Sequence, residues 1–330
     1  MAKQSGKIKL APPKRARRPL VSSARAPWVT RRTSRLQILE SPALAKLKWL
    51  VHGFSTRAGG ASELKTLRRG SNKTEAILNL GFTDWDKRET VEANRKKFFS
   101  AIGAAKMRVV TLRQIHSDIV HTVNSREASS TEVALPENVP QGDALITRER
   151  GVLLAVQTAD CIPILLADTK RRAVAAIHSG WRGTLARIAA KALGRMQMEF
   201  GTRPQDVMAA LGPGIGRCCY EVGEEVAKEF AAQFPEAHDW FDGPFDALSS
   251  GESDPNWLPW LTMKPPGHAP PPLRAKFDLI AANRAILAAA GVAHKNISSS
   301  GHCTACRADL FFSYRREHST GRMIAAIGIL

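Results

Sequence analysis

The sequence predicts an α/β protein, a single domain with a mixed β-sheet flanked by helices and preceded by a disordered basic leader. Three observations carry that reading. Short apolar runs bounded by turn residues recur between residues 152 and 177 and again at the C-terminus, as buried strands do. Longer stretches between them repeat apolar residues at helical spacing. The first 39 residues hold eleven basic residues and no acidic one.

Residues 1–40 are the predicted leader. Lys3, Lys7, Lys9, Lys14, Arg15, Arg17, Arg18, Arg25, Arg31, Arg32 and Arg35 precede the first acidic residue, Glu40. Taking those eleven charges from the net +18 leaves only +7 for the remainder, so the basicity is local. A basic segment containing Pro and Ser reads as a solvated, disordered tail. Nucleic acid is therefore disfavoured as a partner beyond weak contact by this leader, and the prolines oppose the amphipathic helix of a transit peptide.

The domain is expected over residues 41–330. Val152–Val156, Ile162–Ala167 and Ala173–Ile177 read as strands, followed by a helix from Thr184 to Phe200. Asp206–Leu211 reads as a strand ending in Gly212-Pro213-Gly214. Glu221–Phe234 and Phe277–Ala290 read as helices, the second closed by Gly291, and Met323–Leu330 as a final strand. Residues 237–275 break the rhythm with Pro255, Pro259, Pro265-Pro266 and Pro270-Pro271-Pro272 and read as a Pro-rich surface insertion without a catalytic part.

The composition excludes several classes. An apolar fraction of 44% suits a globular core, and no run approaches the roughly 18 apolar residues of a membrane helix. Lysines interrupt the place where a secretory h-region would lie. Five thinly spread cysteines fit a reducing compartment, so a cytoplasmic location without membrane contact is expected.

Three polar residues beside the strand-like runs stand out: His116 in Gln114-Ile115-His116, Cys161 in Thr158-Ala159-Asp160-Cys161, and His178 before Ser179-Gly180-Trp181-Arg182-Gly183. Two imidazoles and a thiolate make a set that zinc accepts, and three protein ligands leave a fourth position open, as in catalytic sites. Spacing alone leaves the alternatives open. A strand-end histidine is commonly a hydrogen-bonded structural residue, a lone cysteine commonly a small buried hydrophobe, and nothing in the sequence places His116 beside the other two. A thiolate nucleophile at Cys161 activated by His178, giving a metal-free cysteine hydrolase, fits the same residues. Cys303-Thr304-Ala305-Cys306 has metal-pair spacing and Cys218-Cys219 supplies two more thiols, but adjacent cysteines are poor chelators of one ion, so no second metal site is expected. The glycines at 212, 214 and 216 lack the extension of a dinucleotide loop.

Taken together, His52-Gly53-Phe54-Ser55-Thr56-Arg57, Asn79-Leu80-Gly81, Gln114-Ile115-His116, Gly142-Asp143-Ala144, Thr158-Ala159-Asp160-Cys161, His178-Ser179-Gly180-Trp181-Arg182-Gly183, Gly212-Pro213-Gly214-Ile215, Tyr220-Glu221-Val222-Gly223 and Phe311-Phe312-Ser313-Tyr314-Arg315-Arg316 form an ordered series. It resembles the multicopper polyphenol oxidase (laccase-domain) family, also known as purine nucleoside phosphorylases and as peptidoglycan-editing factors, over about residues 50–330. The resemblance implies a zinc site on His116, Cys161 and His178. It also implies phosphorolysis of adenosine, inosine and methylthioadenosine and deamination of adenosine, with purine nucleosides and phosphate as partners. Copper, and phenol oxidation as the older name says, is disfavoured by nine scattered histidines; editing of peptidoglycan precursors remains a further reading. Under the leading reading Ser55, Thr56 and Arg57 beside Gly59-Gly60 are candidate phosphate contacts. Arg182 is another, at the start of a helix, and Asp160 is a candidate catalytic carboxylate that orients a metal ligand.

Overall fold

The computed structural model describes residues 28–33, 35–65, 74–124, 139–243 and 274–330. In chain order the strands are β1 (Val29–Thr33), β2 (Leu36–Glu40), β3 (Leu50–Ser55), β4 (Ala58–Lys65), β5 (Thr74–Ile77), β6 (Arg108–Val110), β7 (Val120–Thr122), β8 (Ala144–Thr147) and β9 (Val152–Thr158). They continue with β10 (Ile162–Asp168), β11 (Val174–Ser179), β12 (Val207–Leu211), β13 (Glu221–Gly223), β14 (Phe241–Asp242), β15 (Arg274–Phe277), β16 (Ile297–Ser299) and β17 (Met323–Ile329). The helices are α1 (Arg88–Ala101), α2 (Trp181–Leu185), α3 (Ile188–Phe200), α4 (Glu224–Gln233), α5 (Leu279–Ala289) and α6 (Tyr314–Glu317). None is long and apolar enough to cross a membrane.

The α/β class with mixed pairing holds, but instead of one sheet the described strands form two small sheets, β13-β15-β14 and β4-β5, and two of six strands. Of the six-stranded sheets, the first has the order β1-β2-β3-β17-β9-β6, the second β16-β12-β10-β11-β8-β7. Strand periodicity explains the layering, because successive side chains leave a strand on opposite faces. From β9, Leu154 and Val156 pack with Leu165, Ala167, Val174 and Ala176 of the second sheet. Their neighbours Leu153 and Ala155 turn outward onto Phe98 and Phe99 of α1. The outer face of the second sheet, with Ile164, Leu166 and Ile177, is covered by Ala189, Leu193 and Met196 of α3 and by Ala282 and Ile286 of α5. The central strands β9, β10, β11, β12 and β17 are thus buried on both faces, which is why they are almost continuously apolar.

Several boundaries differ from the sequence expectation for identifiable reasons. Residues 29–40 belong to the fold and not to a disordered leader: β1 pairs with β2, and β2 with β3. The burial of Leu36, Ile38 and Leu39 outweighs the local basic charge, and Arg31 meets Glu40 at 2.9 Å. Residues 1–27 of the proposed leader lie outside the described residues. The helix expected from Thr184 is two helices, because Arg187 takes a left-handed conformation with φ 58°. The helix expected from Glu221 starts at Glu224, since Glu221–Gly223 pairs with β15. The rims of the 237–275 insertion are ordered, with Trp240 and Phe277 buried against Phe230, while residues 244–273 lie outside the described residues.

Candidate active site

Of the connections that pass from one sheet to the other, two deliver a polar residue to the site. The turn Ala159-Asp160-Cys161 joins β9 of the first sheet to β10 of the second. The segment between β6 and β7 likewise crosses between sheets and holds His116. His178 comes from within β11, paired with Pro163 of β10, and so faces the crossover. Sheet topology is therefore what brings His116 to the other two, which spacing did not reveal.

One ligand atom from each of His116, Cys161 and His178 lies within 4.8 Å of the others. The Cys161 sulfur is 3.8 Å from Nε2 of His116, and the two imidazoles meet edge to face with centroids 5.0 Å apart. Gly180 makes the convergence feasible: a Cβ there would lie 2.9 Å from the Cys161 sulfur and 3.1 Å from Cδ2 of His116. The Thr158 hydroxyl donates to the Cys161 carbonyl and closes the turn.

The residue that organises the cluster is Asp143, which the sequence reading quoted within a motif but gave no role. It is fully buried. Its Oδ1 accepts from Nδ1 of His178 at 2.8 Å and from the His116 amide at 3.1 Å. Its Oδ2 accepts from the Ser117 amide at 2.6 Å, the Ser117 hydroxyl at 2.7 Å and the Ile115 amide at 3.2 Å. One carboxylate thereby fixes the His178 ring, leaving Nε2 for the cluster, and holds the loop in which His116 adopts φ 60°. Gln114 anchors the start of that loop by bonding both the amide and the carbonyl of Gln157 at 2.7 Å.

The charges are mutually dependent. Burial pushes the Cys161 thiol up, but the positive His178 and the hydrogen bond to His116 prevail and bring it to about 6. Burial pushes His178 down, but the Cys161 thiolate and Asp143 raise it to about 9. Burial also opposes ionisation of Asp143, yet its bonds to His178 and Ser117 hold it at about 2. Cys161 and His178 thus each favour the charged form of the other.

The cluster opens into a cavity of about 700 Å³ lined also by Trp181, Arg182, Tyr220, Tyr314, Arg315 and Arg322. That size suits a ligand of nucleoside dimensions. The Arg182 guanidinium lies 4.4 Å over Trp181 and that of Arg315 lies 5.2 Å over Tyr220. Arg182 occupies the first turn of α2, as expected from the sequence. Arg315, Arg322 and the two tyrosines were missed as wall residues, though the run Phe311–Arg316 had been quoted as a motif.

Three expected contacts fall elsewhere. Ser55 is buried in β3, its hydroxyl accepting the Ile324 amide at 2.9 Å. Arg57 is 3% exposed and meets Glu317 at 2.8 Å, the Ala308 carbonyl at 2.8 Å and the Phe312 ring at 5.0 Å. Thr56 donates to the Gln37 carbonyl at 2.8 Å. None of the three lines the cavity; a guanidinium so buried serves to pair a carboxylate. Asp160 does line it, but both its oxygens are engaged, one by the Thr304 hydroxyl at 2.6 Å and one by the Arg315 amide at 2.7 Å. It positions the wall by holding Thr304 and the start of the Tyr314–Glu317 helix.

Residues 51–330 match the family described as multi-copper polyphenol oxidoreductase laccase. A Geobacillus stearothermophilus protein named purine nucleoside phosphorylase YlmD is 34% identical over 282 residues, covering 85% of this chain and 94% of the relative. A protein named adenosine deaminase RL5, from an unknown prokaryotic organism, is 33% identical, covering 84% and 93%. The crystal structure of YlmD from G. stearothermophilus superposes with TM-score 0.71 at 30% identity, covering 92% of this chain and 99% of that one.

Proposed function

The chain belongs to the multi-copper polyphenol oxidoreductase laccase family, and from that premise we propose that it is a zinc-dependent purine nucleoside enzyme. Its reactions are phosphorolysis of adenosine, inosine and methylthioadenosine and deamination of adenosine. The observation that carries the reading is the convergence of His116, Cys161 and His178 at the base of a cavity with a cationic wall.

The donor set fits zinc. Two imidazole nitrogens and one thiolate match its borderline-soft preference, and one carboxylate, Asp143, fixes the tautomer of His178 as carboxylate partners of ligating histidines do. When bound, zinc supplies a Lewis-acid centre with one open coordination position. The remaining work falls to the chain itself. Arg182 and Arg315 provide fixed positive charge for phosphate or for the charge developing on a ribose. Tyr314, 55% exposed in the wall, offers an aromatic face to a purine. The names of the relatives support both activities, since one is called a phosphorylase and another a deaminase.

A second reading keeps a specific observation. The Cys161 sulfur lies within 4.8 Å of a His178 ring nitrogen, and the imidazole lowers the thiol to about 6, which is also the arrangement of a thiolate nucleophile. Both roles need the same sulfur, so metal content separates them. Metal analysis of the wild type and Cys161→Ala, with chromatography of adenosine incubated with and without phosphate, tests the proposal. Zinc and the formation of adenine or inosine lost together in the variant are expected. A wild type stripped of zinc that still turns over adenosine overturns it.

A further inference from the structure

Outside the cavity lining, the structure gathers the four remaining cysteines. The sulfurs of Cys218, Cys219, Cys303 and Cys306 all lie within 4.8 Å of one another, with Cys306 at 3.4 Å from both Cys218 and Cys219. All four are free. Four sulfurs on one zinc ion, each about 2.3 Å from the metal, stand about 3.8 Å apart in a tetrahedron, within the spread seen here. A disulfide instead requires about 2.05 Å.

Adjacent cysteines are poor chelators of one ion where the backbone is extended, but here the local backbone gathers their sulfurs. Residues 216–220 form a tight turn, the amides of Cys219 and Tyr220 donating to the Gly216 carbonyl at 2.9 and 3.0 Å. A turn keeps neighbouring side chains on one side, whereas a strand would send them to opposite faces. Cys303 and Cys306 lie on a second turn, closed by the Arg307 amide on the Cys303 carbonyl at 3.0 Å. The two turns are bridged by Gly214 and Cys303, and the Gly216 amide donates to the Cys303 sulfur at 3.2 Å. Such an N–H bond stabilises charge on a sulfur.

We propose that Cys218, Cys219, Cys303 and Cys306 form a second metal site, a tetrathiolate that holds one zinc ion as a structural clasp for the cavity wall. Four thiolates suit a closed tetrahedral site with no position left for water, so its role is not catalytic. Binding releases the thiol protons to solvent and changes no oxidation state. The clasp joins the segment that ends at Tyr220 to the segment that leads to Tyr314 and Arg315, and all three residues line the cavity. Asp160 fastens the same pair from within, since it takes bonds from Thr304 and Arg315 while its carbonyl accepts the Ile215 amide at 2.7 Å.

The test is metal analysis of the purified full chain, followed by exchange of zinc for cobalt(II). About two zinc ions per chain are expected in the wild type and about one in Cys161→Ala. Cys161→Ala reloaded with cobalt is expected to retain the intense visible bands and sulfur charge-transfer absorption of a tetrathiolate, and Cys306→Ser to lose them. The Cys161→Ala measurement leaves the four cysteines intact, so it decides the matter even if Cys306→Ser does not fold. A Cys161→Ala protein that binds no zinc or cobalt, that holds iron instead, or whose mass shows a disulfide among these cysteines overturns the proposal.

Discussion

The Asp143 carboxylate receives Nδ1 of His178 and the amide of His116 on the same oxygen, at 2.8 and 3.1 Å. One buried group therefore sets the orientation of two of the three cluster residues, although one lies in the β6–β7 connection and the other in strand β11. Rigidity at this point supports the contact between the Cys161 sulfur and the His116 ring.

Asp143→Asn is expected to weaken zinc binding by about 10- to 100-fold, the usual effect of removing the carboxylate behind a ligating histidine. The amide retains the shape, but its NH2 faces donors that the carboxylate had satisfied, the Ser117 amide and hydroxyl among them. Competition with a chromophoric chelator measures the affinity, and a value equal to the wild type would show that Asp143 does not orient the ligands.

Gly180→Ala isolates the packing of the cluster. The backbone there, φ −81° and ψ −178°, suits alanine, so only the new methyl group matters. It would lie 2.9 Å from the Cys161 sulfur and 3.1 Å from the His116 ring. Overpacking of this kind costs about 1–3 kcal/mol, so zinc affinity and turnover are expected to fall by roughly tenfold or more while the circular dichroism spectrum stays unchanged. Full metal occupancy and activity would mean that the cluster tolerates displacement.

How far the sequence reveals this architecture depends on the range of the cause. The strands β9 to β12 and helix α3 are legible because each is a local apolar pattern with its own period. The partition into two sheets is not, since Val156 and Ile162 read alike although they lie in different sheets. Cys161 and His178 were legible as neighbours through the hairpin β10–β11, whereas His116 needed the crossover. Arg57 was misassigned because a sequence shows a cation and not the carboxylate 260 positions away that pairs with it. The four cysteines were legible as a possible set but disfavoured, because the sequence does not show the turn at Gly216 that gathers Cys218 and Cys219.

His52 predicts a pH dependence of stability. It is 5% exposed and its Nε2 accepts the Ser41 amide at 2.9 Å, so the fold holds the neutral ring. Burial, with the nearby Arg31 adding to it, lowers it from 6.5 to about 4. With the folded value depressed, this stabilisation is complete above the unfolded value and is lost as the pH falls from about 6.5 to 4. Linkage puts the loss at roughly 3 kcal/mol. Urea titrations across that range are expected to show the decline in the wild type and a shallower one in His52→Gln, whose carbonyl oxygen replaces the acceptor. Parallel slopes would assign the acid sensitivity to other groups.

The two arginines first considered for phosphate are expected to part company. Arg182 is exposed on the cavity wall, and Arg182→Ala is expected to raise the KM for phosphate by about tenfold, or roughly 1.4 kcal/mol, with little change in melting temperature. Arg57 is buried and paired with Glu317, whose side chain is 19% exposed. Arg57→Ala leaves that carboxylate without its partner in a largely dry setting, so a loss of about 2–3 kcal/mol of stability is expected, below the full penalty for a completely buried pair. Its phosphate KM should stay at the wild-type value, because no Arg57 atom faces the cavity. Steady-state kinetics at varied phosphate and thermal denaturation of both variants measure the contrast. A raised phosphate KM in Arg57→Ala with an unaltered melting temperature would return that residue to the site and remove Arg182 from it.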